Sequence, residues 1–484
     1  MHAENGGRTM KGQDVELDVV FRAARAVIDG REQPASVGVA DGRVAVIAAL
    51  DADLTATTVI ELGDDEVLIP GLVDSHVHVN EPGRTEWEGF ASATRAAAAG
   101  GVTTIIDMPL NSVPATTTVE ALETKRAVAA GQAFIDVGFW GGAVPGNVPD
   151  LAGLHDEGVF GFKCFTLPSG VDEFEHLEPA QLEEAMRETA RLGAMMIVHA
   201  EDNHTIDHIA AGHDDSDDAA AATDGRAYTG FLHSRPRGAE NLAIAGVIEL
   251  SRWLGARAHI LHLSSSDALP MIASARADGV PLTVETCPHY LTFTAEEVPD
   301  GATEFKCCPP IREASNRELI WAGLTEGTID IVVTDHSPCT VALKEQGGGD
   351  FGAAWGGVAG LQLGLAATWT GAKARGIDLA QVIAWMATGP ADLVGLSTKG
   401  RIAVGAHADL AVFAPDDSFT VDVAQLRHKN PVSAYAGSTL SGVVRQTWLH
   451  GIRLPITPNG TDASDATTAE AQSPQGRLLK RGEA

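Results

Sequence analysis

Residues 67–82 read V-L-I-P-G-L-V-D-S-H-V-H-V-N-E-P, and the rest of the chain is organised around this stretch. An apolar strand is interrupted at Pro70-Gly71 and ends in His76 and His78. Because side chains alternate along a strand, the two imidazoles project from the same face. Two imidazoles on one face supply half of a metal site, although two ordinary histidines on a half-buried strand have the same pattern. The remaining ligands must therefore be sought in the rest of the chain.

Seven further apolar segments follow the first and alternate with helical segments. They lie at residues 102–108, 135–141, 160–165, 195–200, 258–263, 282–287 and 329–336. The intervening segments are rich in Ala, Leu, Glu and Arg, for example at 88–99, 119–130, 179–192 and 239–254. Nearly continuous apolar strands that alternate with helices indicate a parallel sheet. Eight such units predict an α/β protein with a closed (β/α)8 TIM-like barrel over residues 67–400.

Segments of β character flank this barrel at both ends of the chain. Residues 14–66 and 401–455 carry short apolar runs, and Asp41-Gly42 between alternating apolar residues marks a hairpin. These segments predict one small β-sandwich domain built from both termini. We expect residues 1–13 to be disordered. Residues 456–484, rich in Thr, Asp, Ala, Ser, Pro and Gly, are interpreted as a flexible tail.

Composition excludes several classes of partner. The chain has 34 Lys and Arg against 65 Asp and Glu, a net charge of −31, which argues against nucleic acid and anionic membranes. The first residues lack the apolar core of a signal peptide, and no run reaches membrane-spanning length. A cytoplasmic protein is therefore predicted. Five cysteines without framework spacing indicate reduced thiols.

Metal-capable side chains stand at the ends of five predicted strands. They are His76 and His78 on strand 1, Lys163 on strand 4, His199 on strand 5, His262 on strand 6 and Asp335 on strand 8. In a (β/α)8 barrel the carboxyl ends of the strands form the active site. Because all six residues should meet at one rim, the sequence predicts a metal centre there.

Lys163 lies in F-G-F-K-C-F, where three phenylalanines would desolvate its ammonium group and lower its pKa. A neutral amine reacts with carbon dioxide to form a carbamate, whose two oxygens can bridge two cations. A lysine whose stem packs while its head reaches solvent is the alternative. With four histidines and an aspartate on neighbouring strand ends, we interpret Lys163 as N6-carboxylysine.

Other ligands have structural alternatives of their own. His199 has the pattern of a buried histidine bonded to a backbone carbonyl, and His262 has a competitor in His259, three residues earlier. Asp335 has the pattern of an N-cap for the following segment. The functional interpretation makes Asp335 both a metal ligand and the general base that takes a proton from water and returns it to a leaving nitrogen.

The ligand pattern resembles that of the binuclear amidohydrolases, in particular the cyclic-amidase group of dihydroorotases, hydantoinases and allantoinases. The resemblance covers nearly the whole chain. It implies two divalent metal ions, usually zinc with cobalt or manganese as alternatives, bridged by a lysine carbamylated by carbon dioxide. It also implies hydrolysis of a cyclic amide in a small-molecule substrate, and a homotetramer.

Four segments together resemble allantoinases within this group: 107–112, 305–312, 334–339 and 354–362. Dihydroorotases carry an arginine two residues after the second histidine, and here that residue is Asn80, which favours an uncharged substrate. The resemblance therefore implies hydrolysis of allantoin to allantoate. Loops at the same rim offer three candidate substrate contacts, which are Asn111, Cys308 and Gly356. A hydantoinase or dihydropyrimidinase, or a non-catalytic scaffold of the same fold, is the alternative.

Overall fold

The computed structural model describes residues 16–211, 224–455 and 473–483. Its strands are β1 (Leu17–Ile28), β2 (Arg31–Ala40), β3 (Arg43–Ala48), β4 (Ala56–Glu61), β5 (Val67–Pro70), β6 (Leu72–Val77), β7 (Val102–Asp107), β8 (Asp136–Phe139), β9 (Gly141–Gly142), β10 (Phe162–Phe165), β11 (Met195–His199), β12 (Arg257–Ile260), β13 (Leu282–Thr286), β14 (Ile331–Val332), β15 (Leu410–Thr420), β16 (Thr439–Leu449) and β17 (Ile452–Arg453).

The helices fall mainly between the strands of the middle region. They are α1 (Phe90–Ala99), α2 (Val119–Ala129), α3 (Val148–Asp156), α4 (Pro179–Leu192), α5 (Asn203–Ala210), α6 (Tyr228–Ser234), α7 (Arg237–Leu254), α8 (Leu269–Ala277), α9 (Pro288–Thr292), α10 (Ala314–Thr325), α11 (Val341–Lys344), α12 (Gly364–Ala374), α13 (Leu379–Ile383) and α14 (Gly389–Leu393). Within the described ranges, none of them has the length and apolar character needed to cross a membrane.

The predicted (β/α)8 barrel is confirmed. Parallel strands run in the order β6-β7-β8 in one sheet and β9 to β14 in another, with β9 continuing β8. The barrel closes where Val77, at the end of β6, forms a parallel bridge with His336 beyond β14. The His78 N–H donates to the His336 carbonyl over 2.8 Å at this junction. Closure brings the first and last strands together, and with them their histidines and Asp335.

The strand predicted to begin the barrel at Val67 is two strands. β5 pairs with β1 and β15 in the sheet of the terminal domain, whereas β6 pairs with β7 in the barrel. The division lies at Gly71, where an added Cβ would stand 2.3 Å from the Thr103 hydroxyl. Glycine permits this close approach. Because β5 pairs in the terminal sheet and β6 pairs in the barrel, the domain boundary follows Pro70 instead of preceding Val67.

Both termini contribute to the predicted second domain. Its strands hydrogen-bond in the order β17-β16-β15-β5-β1-β2-β3, with β4 on β1. The predicted hairpin is confirmed between β2 and β3, where Asp41 and Gly42 have φ of 50° and 73°, as a primed turn requires. All five cysteines are free, in agreement with the predicted reduced thiols.

The described end of the predicted tail packs against the barrel. Residues 1–13 and 456–472 lie outside the described residues, but residues 473–483 do not behave as a flexible segment. The Val137 N–H donates to the Arg477 carbonyl over 2.9 Å, and the Leu479 N–H donates to Val137 over 2.8 Å. This segment covers an edge of β8 that no named strand pairs with. Composition alone concealed this pairing, because Leu478 and Leu479 follow a long polar stretch.

A buried ion cluster joins the barrel to the terminal domain. The Lys399 side chain is 1% exposed, and its Nζ lies 2.6 Å from a carboxylate oxygen of Asp136 at the start of β8 and 2.6 Å from one of Asp409 before β15. Asp136 also accepts the Arg477 backbone N–H over 2.8 Å, which anchors the C-terminal segment. The two carboxylates depend on this single ammonium group for charge compensation, apart from His450 beside them.

We expect Lys399→Met to destabilise the fold by about 3–5 kcal/mol, because two buried carboxylates would lose their cation. The measurement is the free energy of unfolding in denaturant. The control is Lys373→Met, whose ammonium pairs with Asp416 at the surface and which should change stability by less than about 1 kcal/mol. Equal unfolding midpoints for wild type and Lys399→Met would contradict the role of this cluster.

Candidate metal centre

The carboxyl ends of the barrel strands open into a cavity of about 600 Å³. All six residues that the sequence predicts as ligands line it: His76, His78, Lys163, His199, His262 and Asp335. His76, Lys163 and His199 lie in β6, β10 and β11, and His78, His262 and Asp335 lie just after β6, β12 and β14. The structure thus brings together side chains that are far apart in sequence.

The imidazoles form a continuous arc beside one carboxylate. Asp335 Oδ1 lies 3.1 Å from His76 Nε2 and 3.5 Å from His78 Nε2. The ring centroids of His76 and His262 are 5.4 Å apart, and those of His262 and His199 are 4.5 Å apart. Nitrogen and oxygen donors therefore converge on one small volume.

Lys163 is enclosed together with this arc. Its side chain is 1% exposed, and Nζ stands 4.7 Å from the centroid of the Phe165 ring. The alternative in which its head reaches solvent is therefore wrong. Burial lowers the pKa of Lys163 to about 8, against the opposing effect of Asp335. The lowered pKa increases the fraction of neutral amine near neutral pH, and the neutral amine is the form that reacts with carbon dioxide.

Asp335 owes its direction to an unusual backbone conformation. Its φ is 44° and that of His262 is 37°, in the left-handed region that non-glycine residues occupy uncommonly. The following helix, α11, is capped by Thr340, so the N-cap alternative for Asp335 is wrong. Burial opposes ionisation, but the neighbouring His76 and His78 hold the pKa of Asp335 well below its usual value.

Two buried glutamates that we did not single out from the sequence orient the imidazoles. His76 Nδ1 donates to Glu285 over 2.5 Å, and His199 Nε2 donates to Glu201 over 2.7 Å. Each contact uses one ring nitrogen and leaves the other as an acceptor or metal ligand. A glutamate inside the apolar strand L-T-V-E-T-C was the available signal for Glu285, and the position two residues after His199 was the signal for Glu201.

The contacts of Glu285 distinguish His259, which lies in β12, from His262, which lies just after it. His259 Nε2 lies 2.9 Å from Glu285 Oε2 and its Nδ1 lies 2.8 Å from the Thr283 hydroxyl, so both of its nitrogens are engaged away from the cavity. His262 lines the cavity, and its backbone N–H donates to Glu285 over 3.1 Å. His259 therefore contacts Glu285 on the side away from the cavity and helps to hold the carboxylate that orients His76.

The donor set fits divalent cations. Ligand atoms of His76, His262 and Asp335 all lie within 4.8 Å of one another. Among the described residues, His76 Nε2 and His262 Nδ1 are buried and make no hydrogen bond, because the 3.1 Å approach of Asp335 Oδ1 to His76 Nε2 lacks hydrogen-bond geometry. Unpaired buried polar atoms are costly, and a bound cation would satisfy the one that faces Asp335. Imidazoles with a carboxylate are typical ligands of zinc and related metals.

We expect Glu285→Gln to weaken metal affinity by about 10- to 100-fold, because the amide no longer accepts from Nδ1 as strongly and the His76 ring loses its fixed orientation. The measurement is a metal titration against a competing chelator. Glu313→Gln, which alters a carboxylate paired with Arg237 outside the cavity, is the control. Unchanged affinity in Glu285→Gln would exclude this role.

The three candidate substrate contacts, Asn111, Cys308 and Gly356, also line the cavity. Asn111 Nδ2 lies 3.5 Å from His78 Nδ1. Asn80 does not line the cavity: it is buried, and its Nδ2 donates to the Pro338 carbonyl over 3.2 Å. The residue at the position of the dihydroorotase arginine is therefore turned away from the space a substrate would fill.

Known proteins resemble this chain over most of its length. Residues 67–454 match the amidohydrolase family. An allantoinase from Streptomyces avermitilis is 57% identical over 97% of this chain and 99% of the relative, and one from Saccharomyces cerevisiae is 43% identical over 90% and 94%. The solved structure of an L-hydantoinase (dihydropyrimidinase) from Arthrobacter aurescens has a TM-score of 0.87 and 30% identity, covering 96% of this chain and 100% of that one.

Proposed function

The chain belongs to the amidohydrolase family, and from this premise we propose that it hydrolyses the cyclic amide of allantoin to give allantoate. The single observation that carries the choice of substrate is the 57% identity to an allantoinase over nearly the full length of both chains. The cavity supports the same chemistry, because its ligands surround a space large enough for a five-membered ring with one substituent.

Two divalent cations would be held at this rim. In our proposal His76, His78 and Asp335 would hold one cation, His199 and His262 would hold the other, and Lys163, as its carbamate, would contribute to both. Cations so held supply Lewis-acid polarisation of a carbonyl and lower the pKa of water to about 7. The chain forms the site in advance, since Glu285 and Glu201 fix two of the imidazoles before any substrate arrives.

Asp335 moves the proton. It is ionised at neutral pH and lies in the cavity beside His76 and His78, so it accepts a proton as water attacks the ring carbonyl. It then returns that proton to the ring nitrogen as the C–N bond breaks. The ring opens, and the former carbonyl carbon becomes a carboxylic acid, which releases its proton to water at neutral pH and leaves the carboxylate of the product.

A comparison of three substrates tests this proposal. Metal-loaded protein prepared with bicarbonate should hydrolyse allantoin with a kcat/KM roughly 10²-fold or more above those for hydantoin and dihydroorotate. Hydantoin hydrolysis is the second candidate, favoured by the hydantoinase fold similarity, and a preference for hydantoin would select it. Protein that carries two metals per chain and opens none of the three rings would overturn the assignment and favour the non-catalytic scaffold.

A further inference from the structure

Arg235 places a guanidinium group in the wall of the cavity. It stands between α6 and α7, and its carbonyl accepts from Arg312 over 3.3 Å, which holds its backbone in place. Its side chain is 20% exposed and lines the same cavity as the six candidate ligands. Cys308 and Phe231 line this cavity as well.

Most of the hydrogen-bonding capacity of this guanidinium is unused. Nη1 donates to Glu201 Oε2 over 2.7 Å, and across the described ranges no second acceptor lies within hydrogen-bond distance of the group. A guanidinium carries five N–H donors in a planar fork. The remaining donors belong to a side chain that lines the cavity, so the wall is suited to a ligand that brings its own oxygen.

A second cation of the wall, Lys306, already has a hydrogen-bond acceptor. Lys306 Nζ donates to the Ala354 carbonyl over 2.6 Å and lies 5.5 Å from the centroid of the Phe231 ring. Lys306 therefore holds the loop that contains Ala354 and has little capacity left for a ligand. Lys163 is assigned to the metal centre, so among the described residues that line the cavity Arg235 is the cation left for a substrate substituent.

Allantoin differs from hydantoin by one group, a ureido substituent on the ring carbon next to the carbonyl that is attacked. Its urea oxygen is a strong acceptor in a neutral molecule. N–H donors of a guanidinium can converge on such an oxygen, whereas a ring without this substituent offers no acceptor at that position.

We infer that Arg235 is a specificity-determining residue whose free N–H donors bind the ureido oxygen of the substrate. This inference rests on the proposed function, because it concerns the substituent that distinguishes allantoin from hydantoin. The ion pair with Glu201 fixes the direction of the fork. Glu201 also accepts from His199, so the same carboxylate sets the distance between the specificity group and the metal centre.

The test uses Arg235→Lys in metal-loaded, full-length protein. This variant keeps a positive charge for Glu201 but loses the planar fork. We measure kcat/KM for allantoin, the competitive inhibition constant of unsubstituted hydantoin, and metal content. We expect kcat/KM for allantoin to fall roughly tenfold or more, while the inhibition constant of hydantoin changes much less. The control is Arg237→Gln, two residues away, whose guanidinium pairs with Asp267 and Glu313 outside the cavity.

Glu201→Gln supplies the contrasting pattern. It weakens the hydrogen bond that orients His199, so it should lower metal content and weaken the binding of allantoin and of hydantoin by similar factors. If Arg235→Lys follows that pattern, or leaves the discrimination between allantoin and hydantoin unchanged, the inference is wrong. Failure of the proposed function would be seen separately, as a wild-type protein that does not prefer allantoin.

Discussion

Lys163→Ala is expected to abolish allantoin hydrolysis and to reduce metal content well below two ions per chain. Alanine cannot form a carbamate, so the two halves of the ligand arc would lose their shared anion. The several kcal/mol of transition-state stabilisation that a bound metal contributes would be lost, which lowers turnover by at least about 10³-fold. Turnover and metal content are measured on the same preparation.

Lys163→Arg distinguishes the loss of the carbamate from the loss of a positive charge at this position. Arginine keeps a cation at this position but its guanidinium does not form the bridging carbamate, so it should be as inactive as alanine. In the wild type, labelled bicarbonate should be incorporated into one lysine, detected by mass spectrometry under non-denaturing conditions. Full activity with two metals in either variant would disprove the bridging role.

Asp335→Asn is expected to lower kcat by about 10²- to 10⁴-fold, the usual contribution of a positioned general acid–base group. The amide is nearly isosteric and retains an oxygen toward His76 and His78, but it cannot take a proton from water or return one to the ring nitrogen. Steady-state kinetics on metal-loaded protein measures the effect, which should appear in kcat more than in KM.

Asp330→Asn serves as the matched control for this substitution. Asp330 stands just before the same strand, β14, at its opposite end, where it pairs with Arg276 and accepts the Val284 N–H over 2.8 Å. It should leave kcat close to that of the wild type. A kcat for Asp335→Asn within a factor of ten of the wild type would show that another group carries the proton.

The strand ends were predictable because a parallel barrel converts sequence order into position. Once the alternation of apolar strands and helices is recognised, the last polar residues of each strand must meet at one rim. Six residues from five segments could therefore be placed in one cavity, in agreement with the lining residues described above. Their role as ligands stays a prediction until metal content is measured.

The residues behind the arc were harder to predict. Glu285 and Glu201 contact imidazoles through side-chain geometry, and their positions in the sequence give only weak signals that do not name the histidine each one contacts. Asp74 is a similar case: it lies in the first strand, and its carboxylate accepts from the Thr334 hydroxyl over 2.6 Å. This contact joins the first and last strands across 260 positions, and no local pattern encodes it.

The sequence by itself determined the fold class, the alternation of strands and helices, and the set of side chains at the carboxyl rim, because hydrophobic periodicity and strand order are local properties. Tertiary structure decided three further features: the pairing of β5 with the terminal sheet, the docking of residues 473–483, and the hydrogen-bonded chain Arg235–Glu201–His199. These features depend on which distant backbones and carboxylates come within hydrogen-bond distance, and that distance exists only after the barrel has closed.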